Sequence, residues 1–132
     1  MRLTDERTGL ELIPKVECLQ LLDEHRVGRL VVSVGGSVDI FPVNYGLDGT
    51  YVVLRTADGT KWRDGPGAAA AFEIDELDEE TCTGWSVVVH GYLEPLEDGH
   101  PAGELVRPWA DGTKPHVLRL VPDTITGRRI GP

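Results

Sequence analysis

The sequence predicts a mainly β fold: a six- to seven-stranded antiparallel barrel with one N-terminal helix and short peripheral helices. Three observations predict it. From Val27 onwards, runs of β-branched and aromatic residues recur, with turn signals about every eight to twelve residues. Only one segment, Pro14 to Glu24, carries apolar residues at helical spacing. The 132 residues fit one domain, since domains run roughly 50–250 residues. We divide the chain into an N-terminal arm, 1–12, and a single barrel domain, 13–132.

In order, Pro14 suits the first turn of a helix, where its missing N–H costs nothing, and Cys18, Leu21 and Leu22 cluster on one side. Val27 to Val34 is too short for a typical helix and rich in valine. Gly35-Gly36 turns it back into Val38 to Tyr45, because tight hairpin turns need positive φ. Asp48-Gly49 leads into Tyr51 to Thr56, completing a three-strand meander. Residues 57–67 read as a loop, Ala68 to Ile74 as a strand and Asp75 to Glu80 as an acidic loop. Trp85 to Leu93 is the longest β run, with Gly91 as a bulge candidate. Residues 95–115, with four prolines, read as irregular, and His116 to Ile130 as a strand pair or one bent strand.

Charge narrows the function classes. Lys and Arg number 13 against 22 Asp and Glu, a formal net charge of -9. Affinity for nucleic-acid phosphates rests on clustered cations, and anionic membrane surfaces attract the same groups, so neither partner is expected. No stretch approaches the roughly 18 apolar residues of a membrane span, and the N-terminus has no signal-peptide core. Cys18 and Cys82 stand apart, without CxxC or zinc spacing, and read as reduced, largely buried thiols of a cytoplasmic protein.

No catalytic constellation stands out, and no metal site. His25, His90, His100 and His116 are scattered, and no GxSxG, HExxH or phosphate-loop motif occurs. Two segments carry chemistry instead. In Arg55-Thr56-Ala57-Asp58-Gly59-Thr60-Lys61, a guanidinium fork, a hydroxyl and a mobile ammonium can converge on one anion, such as a terminal phosphate. On the neighbouring strand, Phe41-Pro42-Val43-Asn44-Tyr45 carries a proline that removes a ladder hydrogen bond and so marks an edge, bulge or special site. Bare backbone beside Asn44, which donates and accepts, suits the edge of a heterocycle with alternating N–H and C=O groups.

The helix, Val27-Gly28-Arg29-Leu30, the Pro42 strand, Arg55-Thr56 with Gly59-Thr60-Lys61, and Gly84-Trp85-Ser86-Val87-Val88-Val89-His90-Gly91 follow one another in an order that resembles the pyridoxamine 5'-phosphate oxidase-like, FMN-binding split β-barrel proteins. The likeness covers roughly residues 12–130 and is greatest to the short actinobacterial members similar to nitroimidazole-resistance proteins. It implies a homodimer with flavin at the subunit interface and a small-molecule substrate. Pro42, Val43, Asn44 and Tyr45 would lie along the isoalloxazine ring, and Arg55, Thr56 and Lys61 would hold the FMN phosphate. Trp85 and Ser86 would approach from the other subunit, and the Pro108-Trp109 loop would cover the site. The extra basic residues that the naming oxidase uses for its substrate phosphate have no match here. The expected function is therefore an FMN-dependent oxidoreductase of another small organic molecule. A deazaflavin-dependent reductase and a non-catalytic flavin carrier are the alternatives.

Overall fold

The computed structural model describes residues 3–34, 36–57, 67–109 and 112–131. Among the described residues, seven antiparallel strands form one sheet that closes on itself. They are β1 (Glu11–Ile13), β2 (Val27–Val34), β3 (Ser37–Asp48), β4 (Tyr51–Thr56), β5 (Ala69–Asp78), β6 (Thr83–Leu96) and β7 (His116–Ile130), with one helix, α1 (Lys15–Glu24). The order is β1-β7-β4-β3-β2-β5-β6, and β6 pairs back onto β7 to close a six-stranded barrel to which β1 is appended. The split β-barrel expected from the sequence is the observed architecture.

Alternation builds the interior. Leu30 and Val32 on β2, Phe72 and Ile74 on β5, Val87 and Val89 on β6, and Leu118 and Leu120 on β7 are all buried. Fully burying each such side chain contributes about 1.5–3 kcal/mol. Helix α1 closes one end by inserting Cys18 and Leu22, and the Tyr45 hydroxyl donates to the carbonyl of Leu22 at 2.6 Å. That bond satisfies a last-turn carbonyl that the helix itself leaves open. The Tyr45 ring meets Phe72 edge-on, with centroids 4.7 Å apart.

A second cluster lies on the outer side of β4 and β7. Val53 and Val117 are covered there by Ala102 and Val106 from a short 3-10 helix, Pro101–Leu105, and the segment after it. Gly46 permits that cover, because the Leu105 carbonyl oxygen lies 2.5 Å from where a Cβ would sit.

Several boundaries depart from the sequence reading. The arm is not loose: Glu11–Ile13 pairs with β7, Thr4 bridges to Glu11, and the Arg128 guanidinium donates to the buried Asp5 at 2.6 Å. This donor holds the Asp5 carboxyl below its ordinary range. Asp75 to Asp78 belong to β5 rather than a loop, and the Arg29 guanidinium on β2 donates across to Glu73 at 2.7 Å and to Asp75 at 3.2 Å. Residues 116–130 form one strand. Its ladder with β6 shifts register at Asp123, which is skipped between the pairs Gly91↔Pro122 and His90↔Thr124. Cys82 is exposed, not buried, and sits in a left-handed turn with φ 57°. Among the described residues no helix is long and apolar enough to cross a membrane.

Candidate functional site

The barrel opens between β3 and β4. Their ladder holds for four residue pairs, from Asp48↔Tyr51 to Tyr45↔Leu54, and then stops. Continued in register, the next pair would be Asn44 with Arg55, and two steps beyond Asn44 stands Pro42, which has no N–H to offer. The strands part there. β3 stays paired with β2 through Asn44↔Val27 and Pro42↔Arg29, while β4 stays paired with β7 through Arg55↔Val117 and Thr56↔His116. Pro42 and Asn44 thus leave this stretch of the β3 edge without a ladder partner among the described residues.

A cleft of about 120 Å³ occupies the gap, lined by Pro42, Val43, Asn44, Arg55, Val106 and Pro108, with Lys114 beside them. Arg55 is fixed by its Nε, which donates to the Lys114 carbonyl at 3.1 Å. Among the described residues nothing engages its two terminal nitrogens. A guanidinium held by one nitrogen with two donors free is a preorganised fork for phosphate or carboxylate. Lys114 adds a second cation in a chain of net charge -9. Across the cleft, Asn44 Oδ1 accepts from the backbone N–H of Trp109 at 2.9 Å. That bond leaves the amide NH₂ of Asn44 as a donor and pins the Pro108-Trp109 segment over the opening.

The remaining expected residues fall elsewhere. Thr56 is buried beside Arg55, and its hydroxyl donates to the carbonyl of Ala57 at 3.0 Å. Tyr45 directs its ring into the core, and burial raises its phenol well above the ordinary value. Trp109 is 78% exposed. Lys61 lies outside the described residues. Trp85 and Ser86 are at the opposite end of the barrel. Val117, the partner of Arg55, pairs with Leu96 at one end of β6, whereas Trp85 pairs with Arg129 at the other. The separation is roughly 35 Å along the strand at about 3.3 Å per residue. Trp85 there meets His25 edge-on, with centroids 5.2 Å apart. The structure therefore sorts the expected residues into two groups that one chain does not bring together.

Lys114 and Val106 were missed from sequence. Only the pairing of β4 with β7 carries Lys114 to Arg55, and no local pattern encodes that pairing. No cluster of three or more His, Cys, Asp or Glu side chains among the described residues could hold a metal ion.

A family model described as pyridoxamine 5'-phosphate oxidase matches residues 14–129. The chain belongs to this family. An uncharacterised member from Mycobacterium tuberculosis is 30% identical over 123 residues, covering 86% of this chain and 81% of that protein. Among solved structures, the FAD binding protein from Mycobacterium smegmatis is 35% identical, with a TM-score of 0.75, covering 89% of this chain and 98% of that one. A conserved protein of unknown function from Corynebacterium diphtheriae is 29% identical, with a TM-score of 0.72, covering 92% and 97%. Flavins are the cofactor that the family resemblance implies, and the cleft fits one in part. The free guanidinium fork and Lys114 suit its phosphate, and the unpaired edge at Pro42 and Asn44 suits its ring edge. The volume does not enclose the ring, because ligand pockets run about 300–1,000 Å³.

Proposed function

We propose that the protein binds a flavin at the β3–β4 opening and uses it in oxidoreductase chemistry on a small organic molecule. The observation that carries this reading is Arg55: anchored through Nε, with no partner among the described residues on its two terminal nitrogens, at the point where the ladder ends. Family membership supports it, as does the 35% identity to a protein that binds FAD. Arg55 and Lys114, with Lys61, hold the phosphate next to the ribityl chain. This phosphate is common to FMN and FAD. The backbone of Pro42 and Val43 and the amide of Asn44 meet the ring edge.

The small cleft and the distant Trp85 together favour a homodimer. A second copy would bring Trp85 and Ser86 against the ring and supply the enclosure that one chain lacks. The outer face of β3 has the apolar side chains for such a contact, with Val38 and Ile40 more than half exposed. Trp109 then becomes a lid. When bound, the flavin supplies hydride transfer, and the protein orients the ring and excludes water. Cys18 and Cys82 need no pairing for this work, in keeping with a cytoplasmic protein.

Titration of the purified protein with FMN, FAD and the deazaflavin coenzyme, followed by absorption and fluorescence, tests the reading. Flavin binding that weakens about ten- to a hundredfold in Arg55→Ala is expected, since a charge-assisted hydrogen bond contributes about 1.5–3 kcal/mol. Binding of the deazaflavin alone would replace the cofactor. Unchanged flavin affinity in the variant would remove Arg55 from the site.

A further inference from the structure

The outer face of the barrel is not uniform. Over β4 and β7 it lies under the 3-10 helix. Across β3, β2, β5 and β6 it reaches the surface apolar. Val31, Val38, Ile40, Ala71, Val88 and Tyr92 alternate there with the buried residues of their strands, and Val38 and Ile40 are more than half exposed. The solvated face of an antiparallel sheet is ordinarily polar, and a continuous apolar one marks an interaction surface.

A charged cluster stands at the centre of this face. Pro42, Arg29, Glu73 and Val88 form one row across the four strands. The Arg29 guanidinium donates through a single nitrogen, Nη1, to Glu73 at 2.7 Å and to Asp75 at 3.2 Å. Two half-buried carboxylates on one cation leave a net negative charge in apolar surroundings. On the flanking strands, β3 presents only Pro42 to this row, and β6 presents Val88 with His90 two residues away.

Resting on the flavin reading above, we infer that two copies of the chain join through this face, and that joining takes up one proton per chain on the Glu73–Asp75 pair. The strand register says how the copies meet. A two-fold axis running along the strands between β2 and β5 lays one face on the other and exchanges β3 with β6. Asn44 and Ser86 lie two residues beyond Pro42 and Val88, in the same direction. Ser86 of the partner subunit therefore falls over Asn44, at the cleft that one chain leaves open. The same axis sets Arg29 over the partner's Glu73, so that two guanidinium groups and four carboxylates are enclosed together. Uncompensated charge is costly away from water, and close carboxylates share a proton sooner than both ionise. Glu73 is the group that takes it. Burial in one chain already pushes its carboxyl up to about 7, with Asp75 adding to the rise and Arg29 opposing it. Assembly removes the remaining water and raises it further. The dimer is thus held by bound protons at low pH and loosens as pH rises through about 7.

The test is sedimentation equilibrium of the full chain without flavin, at about pH 6 and about pH 8.5, in the wild type, Glu73→Gln, His90→Gln and Ile40→Glu. Ile40 and His90 are exposed, and glutamine at 73 keeps an acceptor for Arg29, so the variants should fold. The wild-type dimer should weaken at least about tenfold between the two pH values. Glu73→Gln should hold the dimer equally at both, His90→Gln should keep the wild-type dependence, and Ile40→Glu should be monomeric throughout. A wild-type constant that ignores pH, a dependence that survives Glu73→Gln or vanishes in His90→Gln, or a dimer untouched by Ile40→Glu would overturn the inference. So would a wild type that stays monomeric. Flavin titration of the same samples reads the flavin site separately. Flavin binding without the proton-linked dimer leaves that site standing, whereas a proton-linked dimer that binds no flavin would sink the flavin reading instead.

Discussion

The two sides of the barrel are built to opposite ends. β6 and β7 pair from Gly84↔Ile130 to Leu96↔Val117, with one irregularity along the way. β3 and β4 pair for four residues and separate. The long ladder tolerates its irregularity because Gly91 has no side chain: the Val121 carbonyl oxygen lies 1.9 Å from where a Cβ would be. The short one ends because Pro42 removes a donor and Arg55 turns to Lys114 instead. Backbone pairing is concentrated where the ladder runs on, and polar groups without a ladder partner among the described residues are found where it stops. A barrel that closed everywhere would present no edge for a ligand.

The largest expected effect lies on the closed side. Gly91→Ala places a methyl group into the Val121 carbonyl and should cost about 4 kcal/mol or more, read as a lowered urea midpoint. A melt like the wild type's would mean that the β6–β7 ladder slides open cheaply, and the contrast would collapse. On the open side, Asn44→Ala removes the acceptor for the Trp109 N–H and should cost only about 1 kcal/mol. The checking measurement is faster hydrogen exchange at the Trp109 amide with an unchanged core. Loss of core protection would instead make the Pro108-Trp109 segment part of the barrel's foundation.

The smallest effect is a pH slope on the closed side. Burial pushes the Glu73 carboxyl up to about 7, the adjacent Asp75 adds to the rise, and Arg29 opposes it. The folded state thus keeps a proton that the unfolded chain releases. Its contribution is full below about pH 4.5, the ordinary glutamate value, and is lost as pH rises through about 7. Glu73→Gln should flatten that slope, seen by comparing urea midpoints at either end of the window. A slope that survives would assign it to another group.

Much of this architecture was legible locally. The valine-rich runs, Gly35-Gly36 and Asp48-Gly49 define β2 to β4, and Pro14 with the spacing of Cys18 and Leu22 defines α1. Pro42 marked the place where a ladder would fail, and Gly91 marked the irregular pair. What escaped depends on distant partners. Glu11–Ile13 becomes a strand only because Gly127 to Arg129 lie opposite. Asp75 continues β5, and its partner Arg29 stands across the sheet. Tyr45 read as a ring-facing residue, yet its hydroxyl is drawn to Leu22 at the end of α1, a target no strand pattern reveals. For the same reason nothing local pointed to Lys114, while Lys61 lies outside the described residues.

The two thiols differ in a way that turns the chain into its own reporter. Cys82 sits exposed on the β5–β6 turn, while Cys18 is wholly enclosed on the inner face of α1, where burial also raises its pKa and keeps it protonated. Thiolates, not thiols, attack alkylating reagents. A maleimide dye should therefore mark one site per chain under native conditions. The pace at which a second label arrives would time how often the barrel lifts its helical cap.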